Sequence, residues 1–226
     1  FGHEIGNKLI MATAECIAEC FSSCAAFRIG GDEFVTILKG DDLEAYEVIQ
    51  KGTDCLPKDT RINGFLERAE FWFQEKDLHG MTLEEYLKEK VNEWLPPFIT
   101  GNKLNSENIY NALYWFLNGA EIEKEVPFQI TLENGNKCKV KYEKVASDGQ
   151  NYKIRPVIEI IIQRIFGCTK TPIICGCKVL LRLLSPASRP LQVTDDLEGF
   201  WGGAWPEICK EMKGRYPKHN WNWKEV

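Results

Sequence analysis

The spacing of hydrophobic residues changes near Pro127, and this change constrains the fold more than any other feature of the sequence. Within residues 61–118, apolar side chains recur at helical intervals, which predicts a helical segment. After Pro127, residues 128–132 and 138–142 alternate apolar and polar side chains on either side of Asn134-Gly135, which predicts a β-hairpin. Helices followed along the chain by strands indicate an α+β protein.

The complete pattern predicts an α+β fold in three parts. These are an N-terminal α/β fragment with a helix and a β-hairpin, a helical middle segment, and a small mixed β-sheet with C-terminal helices. Helices are expected at residues 9–21, 41–50, 62–75, 82–94, 106–117, 195–201 and 205–213. Strands are expected at residues 34–38, 128–132, 138–142, 173–175 and 178–184, whereas residues 157–166 fit either a helix or a buried strand. Ser106 is expected to cap its helix, and Gly214 to end the last one.

Charge is distributed unevenly along the 226 residues, whose net charge is −5. Residues 1–60 contain five Lys or Arg and eleven Asp or Glu, a net charge of −6, and the remainder has a net charge of +1. This shift indicates a boundary near residues 55–60. The overall acidity argues against a strong nucleic-acid binder, because phosphate contacts require clustered Lys and Arg.

Nine cysteines and no apolar run of membrane-spanning length predict free thiols in a reducing, cytoplasmic protein with no membrane partner. Cys16, Cys20 and Cys24 recur every four residues, so one helix face would collect all three thiols. Burial as structural cysteines is expected there, with metal binding as the alternative, because three thiolates on one helix cannot close a tetrahedron alone.

The C-terminal residues 184–219, LSPASRPLQVTDDLEGFWGGAWPEICKEMKGRYPKH, combine prolines, aromatic residues and basic residues. This run resembles the C-terminal end of the HrpB-type DEAH-box ATP-dependent helicases. The resemblance extends to EWLPPF at residues 93–98 and to PVIEIIIQRIFG at residues 156–167. It places residues 61–226 in an HrpB-like region, helical over residues 61–118 and α+β over residues 126–226.

The helicase resemblance implies a non-catalytic accessory region, because these residues contain neither a G-x-x-x-x-G-K-[S/T] P-loop nor a DEAH-like Walker B sequence. No cofactor is expected, since ATP and Mg²⁺ would belong to the helicase motor. The partners it implies are single-stranded RNA or that motor. Asp195 and Gly202 stand where the family is often basic, which reduces the positive charge.

Basic residues of this C-terminal run are the candidates for nucleic-acid contact: Arg189, Lys213, Arg215, Lys218 and His219. The aromatic residues beside them have two interpretations. Trp201, Trp205 and Tyr216, with Trp221 and Trp223, could stack on bases. Alternatively, Trp201, Trp205 and Tyr216 form a core and the basic side chains form its solvated rim.

A second motif lies near the N-terminus, where residues 28–34 read RIGGDEF after FGHEIG at residues 1–6. Residues 1–52 resemble part of a GGDEF diguanylate cyclase domain, joined by a connector at residues 53–60. The resemblance implies that Gly30-Gly31 form the turn, that Asp32 is a metal ligand and that Glu33 is its acidic neighbour, followed by Phe34. Mg²⁺ and GTP would bind only if this partial domain were competent, and we expect it to be inactive.

These residues also depart from the family pattern at two sites. Asn7 stands where the family usually has a guanine-contacting Asp, and the inhibitory R-x-x-D site is missing, because Phe21 and Cys24 stand at its positions. Diguanylate cyclase activity in cyclic-di-GMP signalling is the alternative to the accessory helicase role. A genomic fusion, an assembly artefact and a pseudogene-like product would each produce such a join.

Overall fold

The structure is a computed structural model that describes residues 2–20, 25–30, 33–37, 43, 51–95, 105–146 and 152–224. The chain divides into two compact units. One comprises residues 1–62 and 84–116, and the other comprises residues 63–83 and 117–226. Mixed helices and small sheets confirm the α+β class that the change of hydrophobic spacing predicts.

The first unit begins with a long helix and a two-stranded hairpin. Helix α1 spans Gly2–Cys20, and strands β1 (Ala25–Gly30) and β2 (Glu33–Ile37) pair antiparallel. The helix and strand expected here are therefore present, but the burial predicted for Cys16 is wrong, because this thiol is exposed. Helical spacing can align thiols on one face, but it does not supply a surface that covers them. The side chains of Cys20 and Cys24, and the helix predicted at residues 41–50 apart from Leu43, lie outside the description.

Helices of the first unit surround an apolar core. They are α3 (Leu83–Glu89), α4 (Val91–Trp94) and α5 (Ser106–Phe116). The helix predicted at residues 82–94 is interrupted at Lys90, so it forms two short helices instead of one. Trp94 is 1% exposed, and its Nε1–H donates to the carbonyl oxygen of Leu87 at 2.9 Å. The predicted cap of α5 is shifted by one residue, because the Asn105 side chain, not Ser106, accepts from the backbone N–H of Glu107.

The second unit packs helix α2 (Thr60–Lys76), from Asn63 onward, against a β-sheet. The Phe71 and Tyr142 rings lie 5.2 Å apart, and the Gln74 amide bonds both the N–H and the carbonyl oxygen of Ile154, at 2.8 and 2.9 Å. These contacts fix the helix on the sheet. A short helix follows, α6 (Gly119–Glu125), whose Glu125 accepts from the Trp72 indole N–H at 2.7 Å.

The sheet has four strands, which lie side by side in the order Pro190–Thr194, Leu180–Leu184, Tyr152–Ile161 and Lys141–Ala146. The strands of this unit are β3 (Gln129–Thr131), β4 (Lys137–Lys139), β5 (Lys141–Ala146), β6 (Tyr152–Ile161), β7 (Ile173–Ile174), β8 (Cys177–Lys178), β9 (Leu180–Leu184) and β10 (Pro190–Thr194). Strands β6 and β9 run parallel, and the other neighbours in this sheet run antiparallel, so the sheet is mixed as predicted. The hairpins β3–β4 and β7–β8 lie outside it.

The structure decides the predictions for the hairpin turn and for residues 157–166, and it contains one strand that was not predicted. The hairpin turn forms at Asn134-Gly135, where Gly135 has φ +83°, a conformation that favours glycine. Residues 157–166 are first strand β6 and then a 3₁₀ turn (Ile162–Ile165), so both alternatives hold in part. Strand β10 was not predicted, because Arg189-Pro190 marks a turn more strongly than the next residues mark a strand.

Two C-terminal helices complete the second unit, α7 (Leu197–Gly202) and α8 (Trp205–Arg215). The Asp196 side chain caps α7 by accepting from the Gly199 N–H at 3.0 Å. Gly214 does not end α8 as predicted, because it lies within the last turn. The carbonyl oxygen of Met212 instead accepts the N–H of Tyr216, which closes the helix one residue beyond Arg215.

Candidate nucleic-acid interface

Tryptophans of the C-terminal residues pack together in a cluster. Trp201, Trp205 and Trp221 are 6%, 4% and 5% exposed. Trp201 stacks on Trp223 with ring centroids 4.5 Å apart and an interplanar angle of 2°, and Phe166 packs edge-on against Trp205. Buried rings of this kind contribute to packing and are not available to nucleic-acid bases.

The polar atoms of these indoles are satisfied within the protein. The Trp201 Nε1–H donates to the carbonyl oxygen of Cys168 at 2.8 Å, and the Trp221 Nε1–H donates to that of Tyr216 at 3.0 Å. The backbone N–H of Gly167 also donates to the Trp223 carbonyl oxygen at 2.7 Å. The core interpretation therefore holds for Trp201, Trp205 and Trp221, whereas Tyr216 and Trp223 are half-buried.

Four of the five basic candidates lie together at the end of α8. Lys213 and Arg215 are exposed on its last turn, and Lys218 and His219 are exposed in the segment that follows. The Arg215 guanidinium pairs with the Glu211 carboxylate at 3.0 Å, across one helical turn. The structure therefore exposes four basic side chains within residues 213–219, and among them His219 contacts the Tyr216 and Trp221 rings.

The fifth candidate, Arg189, lies in the tight turn between β9 and β10. Its backbone N–H donates to the Ser185 hydroxyl at 3.1 Å, and its carbonyl oxygen accepts the Ser185 N–H at 2.8 Å. The side chain is exposed. Within the described residues, no hydrogen bond, ion pair or ring contact joins Arg189 to the basic residues of α8.

Asp195 has a structural role in the sheet of the second unit. Its carboxylate pairs with the Arg155 guanidinium at 2.8 Å, and this hydrogen bond holds the pKa of Asp195 below its usual range. The pair joins the end of β10 to strand β6 in the sheet. Asp195 thereby pairs with a cation of this unit, so the Arg155 guanidinium is less available to a phosphate.

The GGDEF-like residues are described only in part. Gly30 ends β1 and pairs with Glu33, which begins β2, so the hairpin implied by the resemblance is present. Glu33 is exposed and Phe34 is half-buried. Gly31 and the proposed metal ligand Asp32 lie outside the described residues. Within the described part of the chain, no three His, Cys, Asp or Glu side chains come together in a way that could hold a metal ion.

A second basic surface was missed by the sequence analysis. Lys137, Lys139 and Lys141 are exposed and line one groove together with Arg164. The sequence contains a pattern that indicates this surface. Lysine occupies every second position of KCKVK at residues 137–141, and this is the period at which side chains of a strand share a face. Arg164 is 23 residues further along the chain, so only the fold brings it to this groove.

The family of the chain follows from a comparison with known proteins. A family model described as HrpB_C, ATP-dependent helicase C-terminal, matches residues 92–223, which include the basic candidates, the tryptophan cluster and the second basic surface. This chain belongs to the HrpB C-terminal family. The match does not extend to residues 1–52, so their GGDEF resemblance stays a prediction.

Relatives of the HrpB C-terminal family agree with this assignment. The ATP-dependent RNA helicase HrpB of Escherichia coli strain K12 is 37% identical over 159 residues, which is 66% of this chain and 18% of that protein. The solved structure of the E. coli DExH-box NTPase HrpB covers 95% of this chain and 30% of its own, with 26% identity and a TM-score of 0.69. The E. coli DEAH/RHA helicase HrpB structure covers 84% and 25%, with 28% identity and a TM-score of 0.58. The chain thus spans less than a third of each relative.

Proposed function

We propose that this chain is a non-catalytic accessory region of an ATP-dependent RNA helicase and that it contacts single-stranded RNA through the end of α8. The observation that supports the proposal is the exposure of Lys213, Arg215, Lys218 and His219 within the seven residues 213–219 at and after the end of α8. Basic side chains clustered in one exposed segment can contact the phosphates of a single strand. ATP hydrolysis belongs to a helicase motor, which is the second proposed partner.

The described helices contain no segment long and apolar enough to span a membrane. A cytoplasmic location is part of the proposal, because RNA helicase work and free cysteines both fit a reducing compartment. Since Trp201, Trp205 and Trp221 are buried, RNA binding at α8 relies on charge more than on base stacking. We therefore expect weak sequence preference and strong salt dependence.

Fluorescence anisotropy with a labelled single-stranded RNA tests this proposal. We expect binding at micromolar protein that weakens as salt rises, and weaker binding by a Lys213→Gln, Arg215→Gln and Lys218→Gln triple variant. Three lost phosphate contacts reduce the slope of log Kobs against log salt by about 2, since each contributes about 0.7 for a single strand. Absence of salt-sensitive binding at tens of micromolar protein would overturn the RNA role and leave docking to the motor.

For residues 1–52 we infer a GGDEF-derived helix and hairpin without cyclase activity. The Gly30↔Glu33 pairing across the hairpin supports the resemblance. Incubation with GTP and Mg²⁺ is expected to yield no cyclic dinucleotide. Formation of cyclic-di-GMP above the level of an Asp32→Asn variant would instead support the diguanylate cyclase alternative.

A further inference from the structure

We propose that the groove lined by Lys137, Lys139, Lys141 and Arg164 binds the phosphodiester backbone of a single-stranded nucleic acid. The proposal rests on the proposed function for the class of ligand, but it uses residues that do not belong to the α8 surface. The lysines lie on β4 and at the start of β5, and Arg164 follows β6 in a 3₁₀ turn.

The geometry of the lysines comes from one extended segment. Residues 137–141 first pair with β3, where Lys137 is opposite Thr131 and Lys139 is opposite Gln129, and Lys141 then pairs with Val157 in β6. Alternate residues of a strand lie about 6.8 Å apart on one face. That spacing resembles the separation of consecutive phosphates along an extended single strand, so the three ammonium groups can meet neighbouring phosphates.

Residues between the lysines anchor the segment. Cys138, Val140 and Tyr142 are buried, and the Tyr142 hydroxyl donates to the Pro127 carbonyl oxygen at 2.7 Å. Burial raises the pKa of the Cys138 thiol, which keeps it neutral beneath the charged row. The lysines therefore project from a backbone that packing holds in place, and their side chains remain free to reach a ligand.

Arg164 is held beside the row by the β3–β4 turn. The side-chain amides of Asn134 and Asn136 both donate to the Arg164 carbonyl oxygen, at 2.9 and 2.8 Å. The Arg164 guanidinium in turn donates to the Lys137 carbonyl oxygen at 3.1 Å. This hydrogen bond uses one N–H of the Arg164 guanidinium. The other N–H groups of the planar guanidinium can donate to a phosphate.

The charges of the groove are not neutralised within the described part of the chain. No carboxylate there lies within ion-pair distance of Lys137, Lys139, Lys141 or Arg164, although many basic residues of the same unit are paired. Lys144 pairs with Glu70 at 3.4 Å, for example. Among the described residues that line the groove, Glu159 is the one that is acidic. Four cations against one carboxylate give the groove a net charge of +3 on a chain whose net charge is −5.

The ligand class follows from the residues that line the groove. A regular row of lysines matches a chain of singly charged phosphates, whereas the described residues that line the groove include no aromatic ring to stack a base. Binding is therefore electrostatic and independent of base sequence. A single row fits one backbone, which favours a single strand over a duplex.

The test uses the full chain and a fluorescein-labelled 20-nucleotide poly(U), followed by anisotropy between 50 and 200 mM salt. A Lys137→Gln, Lys139→Gln and Lys141→Gln variant is expected to bind at least about tenfold more weakly at 50 mM salt and to lower the salt slope by about 2. Lysine-to-arginine changes at the same three positions are expected to retain binding. Because the lysines are exposed, the unfolding midpoint is expected to stay unchanged.

The matched control carries the same change of charge elsewhere, at the exposed residues Lys124, Lys170 and Lys178, each replaced by Gln. The proposal is overturned if the control weakens binding as much as the groove variant, or if the groove variant binds within twofold of the unmodified chain. It is also overturned if polyglutamate of equal length competes as well as RNA, which would indicate an acidic protein partner. Loss of binding only in the α8 variant would support the proposed function and reject the groove, whereas loss only in the groove variant would do the reverse.

Discussion

At the scale of single residues, Trp201 and Asp195 both depend on partners that are distant in sequence. The Trp201 indole N–H donates to the Cys168 carbonyl oxygen, and Asp195 pairs with Arg155. The sequence identified Trp201 and Trp205 as either stacking platforms or core, and only their burial decides between the two. Asp195 was expected simply to remove positive charge, yet it also forms an ion pair with Arg155, 40 residues away. Each outcome depends on a partner that is distant in sequence, and residue identity does not encode that partner.

Trp201→Ala is expected to destabilise the protein by about 3–5 kcal/mol, because it empties a packed site between Phe200, Trp205 and Trp223. Urea unfolding followed by far-UV circular dichroism measures this change. Trp115→Ala is the matched control, since this indole is 73% exposed and its removal is expected to cost no more than about 0.5 kcal/mol. Equal losses in the two variants would contradict the assignment of Trp201 to the core.

The ion pair of Asp195 predicts how the free energy of unfolding changes at acid pH. Its pKa is lowered in the folded protein by the hydrogen bond from Arg155, so ionised Asp195 stabilises the fold above the unfolded pKa. That contribution disappears as the pH falls through the folded pKa, below about pH 4. The pair is partly exposed, so Asp195→Asn is expected to cost only about 0.2–1 kcal/mol at pH 7 and less at pH 2.5. Urea unfolding at both pH values measures the difference, and an equal cost at both would contradict the ion-pair role.

At the scale of elements, most helices and strands follow the predicted spacing. The helix predicted at residues 82–94 breaks at Lys90 and strand β10 is additional, whereas other differences occur at element ends. Helix α5 begins where predicted, but Asn105 supplies the cap. Helix α8 continues through Gly214, because the chain beyond it is held by the Tyr216 N–H and by the indole of Trp221. Tertiary contacts at an element's end therefore outweigh the local preference of one residue for stopping a helix.

Glycine substitutions test this difference directly. Gly214→Ala is expected to stabilise the protein by about 0.5–1 kcal/mol, because the residue lies inside α8 and an added Cβ meets no atom within 4 Å. Gly135→Ala is the contrasting control. Its φ of +83° disfavours any residue with a Cβ, so a loss of about 1–2 kcal/mol is expected. Thermal unfolding measures both, and destabilisation by Gly214→Ala would indicate that α8 ends before this position.

At the scale of the whole molecule, the second unit is discontinuous in sequence. Residues 63–83 join residues 117–226, and α2 supplies the Phe71 ring and the Gln74 amide that contact the sheet. The change of spacing at Pro127 correctly separates helical from strand-rich sequence. It does not reveal that a helix from before Pro127 completes the sheet after it.

A chain shortened to residues 117–226 is therefore expected to lose cooperative unfolding, because the sheet face beneath α2 becomes exposed. Loss of the buried Phe71 side chain alone lowers the free energy of unfolding by about 3–5 kcal/mol. A chain of residues 51–226 retains α2 and serves as the control. Urea titration with near-UV circular dichroism distinguishes them, and a cooperative transition of the shorter chain at the same midpoint would contradict the role given to α2.

The sequence by itself determined the α+β class, the Asn134-Gly135 hairpin and the lysine alternation of residues 137–141, because each depends on spacing within a few residues. The tertiary structure alone decided which aromatic rings are buried, which cations are paired, and that Arg164 joins the lysine row. Burial and ion pairing depend on surfaces from distant parts of the chain, and local spacing carries no information about which surfaces meet.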